Sequence, residues 1–206
     1  MPHAKSSDTT QTAETEFDLA GYEVIVGVTG GIAAYKVCEV VSRLVQRGAG
    51  VTVAMTRAAR RFVTPLTFQA LSGRPVLVDL WKTGDSADIQ HIHLTSGADL
   101  VVIAPATANT IAKIASGLAD DVVTNLVISA DSPVLVAPAM NDRMWKHAAV
   151  QRNVAILRGD GVFLVDPVEG WLACRSLGPG RMADAADLLA EIAAQLKKRS
   201  PKALNA

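Results

Sequence analysis

Cysteine is scarce in this chain: Cys38 and Cys174 are the two in 206 residues, far apart in sequence. That argues against a disulfide framework and makes a reducing cytoplasm the expected compartment. Aromatic residues make up only 4%, so the core must be built from aliphatic side chains. Charge of neither sign dominates, since 20 basic and 20 acidic residues cancel. Neither a nucleic-acid footprint nor a polybasic membrane patch is expected from such a balance. No apolar run approaches the roughly 18 residues needed to span a bilayer. The N-terminus lacks a basic stretch followed by an apolar one, so no secretory signal is expected.

Hydrophobic residues make up 50% of the chain, enough for one substantial core and one domain. Residues 1–20 are polar and aperiodic and read as a disordered tail. Residues 21–198 form the expected domain, and 199–206 a second polar tail. Within the domain, apolar strand runs alternate with amphipathic helices. The predicted strands are Glu23 to Val28, Val51 to Met55, Ala98 to Ala104, Pro133 to Ala137 and Val162 to Val165, with an extended piece from Val76 to Leu80. The predicted helices run from Ile32 to Arg47, Pro65 to Leu71, Asn109 to Gly117, Asp121 to Ala130, Trp145 to Leu157 and Ala183 to Lys198. Uniformly apolar strands between helices predict a parallel sheet covered on both faces, an α/β fold.

Ligands of open α/β sheets bind beyond the strands' carboxyl ends, so the loops there carry the chemistry. Gly27-Val28-Thr29-Gly30-Gly31-Ile32-Ala33 follows the first strand. Its glycines let backbone N–H groups approach an anion at a helix start, although a tight turn alone would also use them. It is neither a dinucleotide fingerprint nor a nucleotide P-loop. Thr56 follows the second strand and is a candidate for a second phosphate or ring contact, a signal that means little alone. Thr107, Asn109 and Thr110 gather after Pro105, either to cap the next helix or to bond a flat ring or phosphate. Asn141, flanked by Met140, Met144 and Trp145, suits recognition of a small carboxylate beside a flat cofactor; a plain helix cap is the competing reading.

Two further segments are reactive. His91 and His93 precede the Ala98 strand, and a histidine is the natural general base. Two histidines without a third ligand make a weak zinc signal, so no metal is assigned. The segment Leu172 to Met182 holds Cys174 and Arg181 in a glycine-rich loop. It reads as a mobile lid in which Arg181 would pair with a substrate carboxylate or phosphate.

Four ordered motifs now stand together: Gly27 to Lys36, His91-Ile92-His93-Leu94, Pro105 to Thr110 and Pro138 to Trp145. With them the chain, from about Tyr22 to Leu189, resembles the homo-oligomeric flavin-containing cysteine decarboxylases. That resemblance implies a flavodoxin-like or Rossmann-like sheet, bound FMN (some relatives hold FAD) and a homotrimer or homododecamer. It places Gly30, Gly31, Ile32, Thr56, Thr107, Ala108, Asn109, Thr110 and Ala139 against FMN. It makes His91 the catalytic base and Asn141 the holder of the substrate carboxylate, with Met144 in the adjacent wall. It also implies the chemistry: the cysteine is oxidised to a thioaldehyde, which loses CO2 to give an enethiolate. In the phosphopantothenoylcysteine branch of the family, a loop cysteine matched by Cys174 then protonates the enethiol as it is reduced. In the peptide branch the enethiol is itself the product.

Two departures bear on the branch. The coenzyme A enzymes usually read Ala-Cys-Gly-Asp/Glu where this chain has Ala173-Cys174-Arg175-Ser176, and Arg-Trp-Ala-Asp where it has Ser96-Gly97-Ala98-Asp99. Loss of the indole at Gly97 opens space for a bulkier substrate. The expected function is therefore oxidative decarboxylation of a precursor peptide's C-terminal cysteine in antibiotic biosynthesis. Phosphopantothenoylcysteine is the alternative substrate, and an inactive regulatory flavoprotein is the third reading.

Overall fold

The computed structural model describes residues 17–79 and 94–202. Five strands form one parallel sheet in the order β2-β1-β3-β4-β5. They are β1 (Glu23–Val28), β2 (Gly50–Met55), β3 (Leu100–Ala106), β4 (Val134–Pro138) and β5 (Phe163–Leu164). This is the flavodoxin-like order, in which the chain reverses direction across the sheet between β1 and β3.

The strand pattern sorts the helices. Val24, Val26, Val28, Val51, Val53, Leu100 and Val102 point to one face, with Val37, Val41 and Leu44 of α1 (Ala34–Gln46), Phe68 of α2 (Pro65–Ser72) and the closing helix Ala185–Leu196. Ile25, Val101, Ile103 and Val136 point to the other. They meet α3 (Ala108–Ala115), α4 (Val122–Ile128) and α6 (Ala148–Gly159). Alternate residues of the central strands thus feed two separate cores, the arrangement that makes nearly every position in them apolar. Gly27 is required at one of them, because an added Cβ would lie 2.6 Å from Ile103 Cδ1 and 2.9 Å from Val123 Cγ1.

Four features differ from the sequence reading. β3 runs through Pro105 to Ala106 rather than ending before it, with a shift in its register against β4 between Ile103 and Ala106. A proline is tolerated at such an irregularity because no ladder N–H is needed there. The helix expected from Trp145 is two helices, α5 (Asp142–Lys146) and α6. They break at extended His147 (ψ 132°), whose Nδ1 accepts the N–H of Ala149 at 3.2 Å. The expected lid is an antiparallel hairpin of β6 (Val168–Trp171) and β7 (Leu177–Arg181), followed by α7, the closing helix.

The tail boundaries also move. Leu19 is fully buried, and its N–H donates to Arg47 O at 2.8 Å. At the other end, Tyr22 Oη donates to Arg199 O at 2.8 Å. Buried Asp99 accepts from the N–H groups of Glu23 and Lys202, both at 2.8 Å. The first and last described residues are thus tied to the sheet's N-terminal edge.

Candidate functional site

At the β1/β3 switch point the strand ends are stitched together by one side chain. Thr29, almost fully buried, donates through Oγ1 to Pro105 O at 2.5 Å and accepts from Thr107 N–H at 3.1 Å. This residue was missed in the sequence, where a threonine before two glycines looks like ordinary turn chemistry. Beside it, an added Cβ on Gly30 would lie 2.4 Å from Ala58 Cβ, so the loops after β1 and β2 touch through that glycine. Thr56 closes the second loop: its N–H donates to Val28 O at 3.0 Å and its Oγ1 accepts from Ala59 N–H at 3.2 Å.

Gly31 faces Pro105 and Thr107 across 3.6 and 3.8 Å from its would-be Cβ. The first turn of α1 has no side-chain cap and no acidic residue, and Ile32 is exposed. The N–H groups of Ala34 and Lys36 bond Gly31 O and Ala33 O, both at 3.0 Å, and the positive end of the helix favours an anion. Thr107 caps α3, its Oγ1 accepting from Thr110 N–H at 3.3 Å and lying 3.1 Å from Thr110 Oγ1. Ala108 and Asn109 stand in that same first turn, and Asn109 is exposed. The structure thus brings Gly30, Gly31, Ile32, Thr56 and Thr107 to Thr110 to one end of the sheet. Glycine backbone, an uncapped helix start and a polar rim fit a flat ring carrying a phosphate.

Ala139 joins this group, since its N–H donates to Ala106 O at 3.0 Å. The next residue leads to the hairpin: Met140 N–H donates to Gly180 O at 2.9 Å. Gly180 has φ +133°, and a Cβ there would lie 2.4 Å from Met140 O. Only glycine lets the hairpin lie this close. Gly178 likewise sits against Asp142 Cβ, 3.0 Å from its own would-be Cβ.

The docked hairpin brings Cys174 to Asn141. Asn141 Oδ1 accepts from Arg143 N–H at 2.8 Å, so the residue does cap α5. Its Nδ2 donates to Cys174 Sγ at 2.9 Å. Capping and site geometry are the same arrangement: the backbone N–H fixes the oxygen and thereby aims the amide nitrogen. Ser176 Oγ lies 3.1 Å from the same sulfur. The exposed Cys174 thiol is held below its ordinary pKa, first by Ser176 and then by Asn141. Burial pushes the other cysteine, Cys38, up.

Met144 is half exposed on α5, near Asn141 in the chain. Arg181 departs from expectation. Its Nη2 bonds Asp184 Oδ2 at 2.6 Å, Lys36 Nζ bonds the other oxygen of that carboxylate at 3.0 Å, and its Nε is buried with no partner among the described residues. The guanidinium therefore latches the hairpin base to α7 and, through Asp184, to α1. Gly97 departs further. It lines a recess with Glu23, Thr52 and Arg74 at the strands' amino ends, so a seven-residue β3, about 20 Å of extended chain, separates it from Thr107. Within the chain it cannot enlarge a substrate site at the carboxyl ends. His91 and His93 lie outside the described residues. Among the described residues, no group of three or more His, Cys, Asp or Glu could hold a metal ion. No helix there is long and apolar enough to cross a membrane.

A family model for flavoproteins matches residues 12–197. The chain belongs to that flavoprotein family. It is 48% identical over 171 residues to the coenzyme A biosynthesis bifunctional protein CoaBC of Vibrio parahaemolyticus, covering 83% of this chain and 43% of that protein. It is 49% identical over 166 residues to CoaBC of Escherichia coli, covering 81% and 41%. The chain thus spans less than half the length of these curated relatives. Among solved structures, the FMN-dependent cysteine decarboxylase SpaF superposes with a TM-score of 0.76 at 37% identity, over 87% of this chain and 98% of that one. A cysteine-to-serine variant of PPC decarboxylase, complexed with pantothenoylaminoethenethiol, gives 0.74 at 30% identity, over 83% and 96%.

Proposed function

We propose that this flavoprotein decarboxylates phosphopantothenoylcysteine and returns the reduced thiol, the decarboxylase step of coenzyme A synthesis. The chain is a flavin-dependent cysteine decarboxylase with FMN as its cofactor. The order of the two substrate readings drawn from the sequence is thereby reversed. CoaBC relatives at 48 and 49% identity favour the smaller substrate, and within the chain Gly97 lies at the opposite end of the sheet from Asn141. The observation that carries the reading is the 2.9 Å contact between Asn141 Nδ2 and Cys174 Sγ. A proton donor beside the carboxylate holder is needed if the enethiol is to be reduced, and is idle if the enethiol leaves.

Gly30, Gly31, Ile32, Thr56, Ala139 and Thr107 to Thr110 would hold FMN, whose chemistry when bound would be two-electron oxidation of the substrate and its reversal. The protein's residues do the rest. One N–H of Asn141 Nδ2 is spent on Cys174, which leaves the second for the substrate carboxylate, with Met144 walling the site. A neutral amide orients that carboxylate without an ion pair that would stabilise it against leaving. His91 is the base that takes the thiol-side proton. Cys174 delivers a proton in the reductive half. A homotrimer or homododecamer remains the assembly we propose.

Peptide C-terminal cysteine is the second reading, favoured by the SpaF likeness over 98% of that chain. Purified protein is given phosphopantothenoylcysteine or cysteine-ended peptides, and the products are weighed. Loss of CO2 with no net change in hydrogen on the small substrate, peptides untouched, is expected. A stable enethiol from peptides alone would overturn the proposal.

A further inference from the structure

The turn that carries Cys174 has a specific shape. Arg175 N–H donates to Leu172 O and Leu172 N–H to Ser176 O, both at 2.9 Å, and Arg175 has φ +63°. This is a three-residue hairpin loop closed by a left-handed residue. The left-handed step folds the chain so that side chains two apart, Cys174 and Ser176, meet at 3.1 Å. Position 176 is half-buried while Cys174 is exposed, so the hydroxyl sits behind the sulfur and leaves its front open.

Asn141 Nδ2 can only donate to Sγ. A neutral thiol must therefore point its hydrogen elsewhere, and Ser176 Oγ is the acceptor within reach. Once the proton has left, the hydroxyl can rotate and donate to the thiolate. One side chain thus serves both states of the sulfur, as no carboxylate or aliphatic residue could. We propose that Ser176 is the positioning residue that makes Cys174 an effective proton donor. The inference rests on the proposed reductive reading. Reduction places a hydride and a proton across the enethiol double bond. The electron pair is the one withdrawn from the cysteine in the oxidative half. The proton leaves Cys174 Sγ, the resulting thiolate is held by Ser176 Oγ and Asn141 Nδ2, and solvent reprotonates it.

The charged groups on the hairpin and on α5, the helix packed against it, are Arg175 in the turn, Glu169 and Arg181 on the strands, and Asp142, Arg143 and Lys146 on α5. They are unchanged by substitution at 176, so a change there isolates the hydroxyl. The test is the pH dependence of iodoacetamide alkylation at Cys174 in the flavin-loaded protein, read by peptide mass so that Cys38 is counted separately. Ser176→Ala slows alkylation near neutral pH by about three- to tenfold and moves its midpoint up, while Ser176→Thr restores both. With phosphopantothenoylcysteine, Ser176→Ala raises the ratio of released enethiol to fully reduced product. An unchanged alkylation profile in Ser176→Ala, or a Thr variant as slow as Ala, overturns the proposal. A wild type that releases no CO2 from this substrate sinks the substrate reading, yet leaves the alkylation result standing as a test of Ser176.

Discussion

Gly180→Ala should disable the reductive half-reaction while leaving the flavin bound. The residue has φ +133°, and its new Cβ would lie 2.4 Å from Met140 O. That φ costs an L-residue about 1–3 kcal/mol. The clash with a backbone carbonyl cannot be relieved by a rotamer, so the hairpin must retreat. Retreat breaks the 2.9 Å bond from Met140 N–H to Gly180 O, worth about 1 kcal/mol. The sum, roughly 3 kcal/mol, corresponds to a shift of about 150-fold toward an undocked hairpin, at 1.4 kcal/mol per factor of ten. The effect stays local because β6 and β7 form their own two-stranded sheet, separate from the five-stranded one. Undocking removes Cys174 from Asn141. The assay measures the ratio of enethiol to fully reduced product by mass, alongside visible absorbance and the melting temperature. The expected result is a yellow protein with a nearly unchanged melting temperature and a ratio raised at least tenfold. A wild-type product ratio would refute the claim that the docked hairpin delivers the proton.

Other outcomes follow from the same geometry. Gly30→Ala forces the loops after β1 and β2 apart at Ala58, and flavin occupancy after purification should fall several-fold by absorbance. Asp99→Ala takes the acceptor from the half-buried N–H groups of Glu23 and Lys202, costing about 2 kcal/mol by urea unfolding; a loss below about 0.5 kcal/mol would show those bonds to be idle. Asp121 is partly buried, which alone would raise its pKa. Thr124 N–H and Lys113 outweigh that and hold it below the usual range. A depressed folded pKa stabilises above the unfolded value, about 3.9, and the gain is lost as pH falls through the folded one. Asp121→Asn should therefore be less stable than wild type at pH 6, and the difference should shrink as pH falls below the unfolded value. His91→Asn should keep the flavin and abolish CO2 release; retained release would remove His91 from the mechanism.

The sheet was legible because each strand feeds two cores and so is apolar at successive positions, a pattern that survives without any partner information. The hairpin was not. Val168-Glu169-Gly170-Trp171 and Leu177-Gly178-Pro179-Gly180-Arg181 lack alternation, and Gly178 and Gly180 serve close approach to Asp142 and Met140 rather than flexibility. A loop reading was the natural error. His147 broke a helix invisibly, since nothing in Lys146-His147-Ala148 marks an imidazole cap. The gathering of Gly30, Thr107 and Asn141 was readable from strand ends alone. Thr29 was not, because a buried hydroxyl that stitches two loops has no local signature, and Ser176 was not, because its approach to Cys174 depends on the left-handed backbone at Arg175. Gly97 shows the opposite failure: a motif difference can be read correctly and still sit at the wrong end of the sheet.

The central claim is that Asn141 and Cys174 act on one substrate whose carboxylate leaves and whose enethiol is then reduced. Turnover of phosphopantothenoylcysteine by wild type and by Cys174→Ser, each product weighed, tests it most directly. Wild type should release the reduced thiol, and the variant the enethiol, two hydrogens lighter. The same product from both proteins would contradict it.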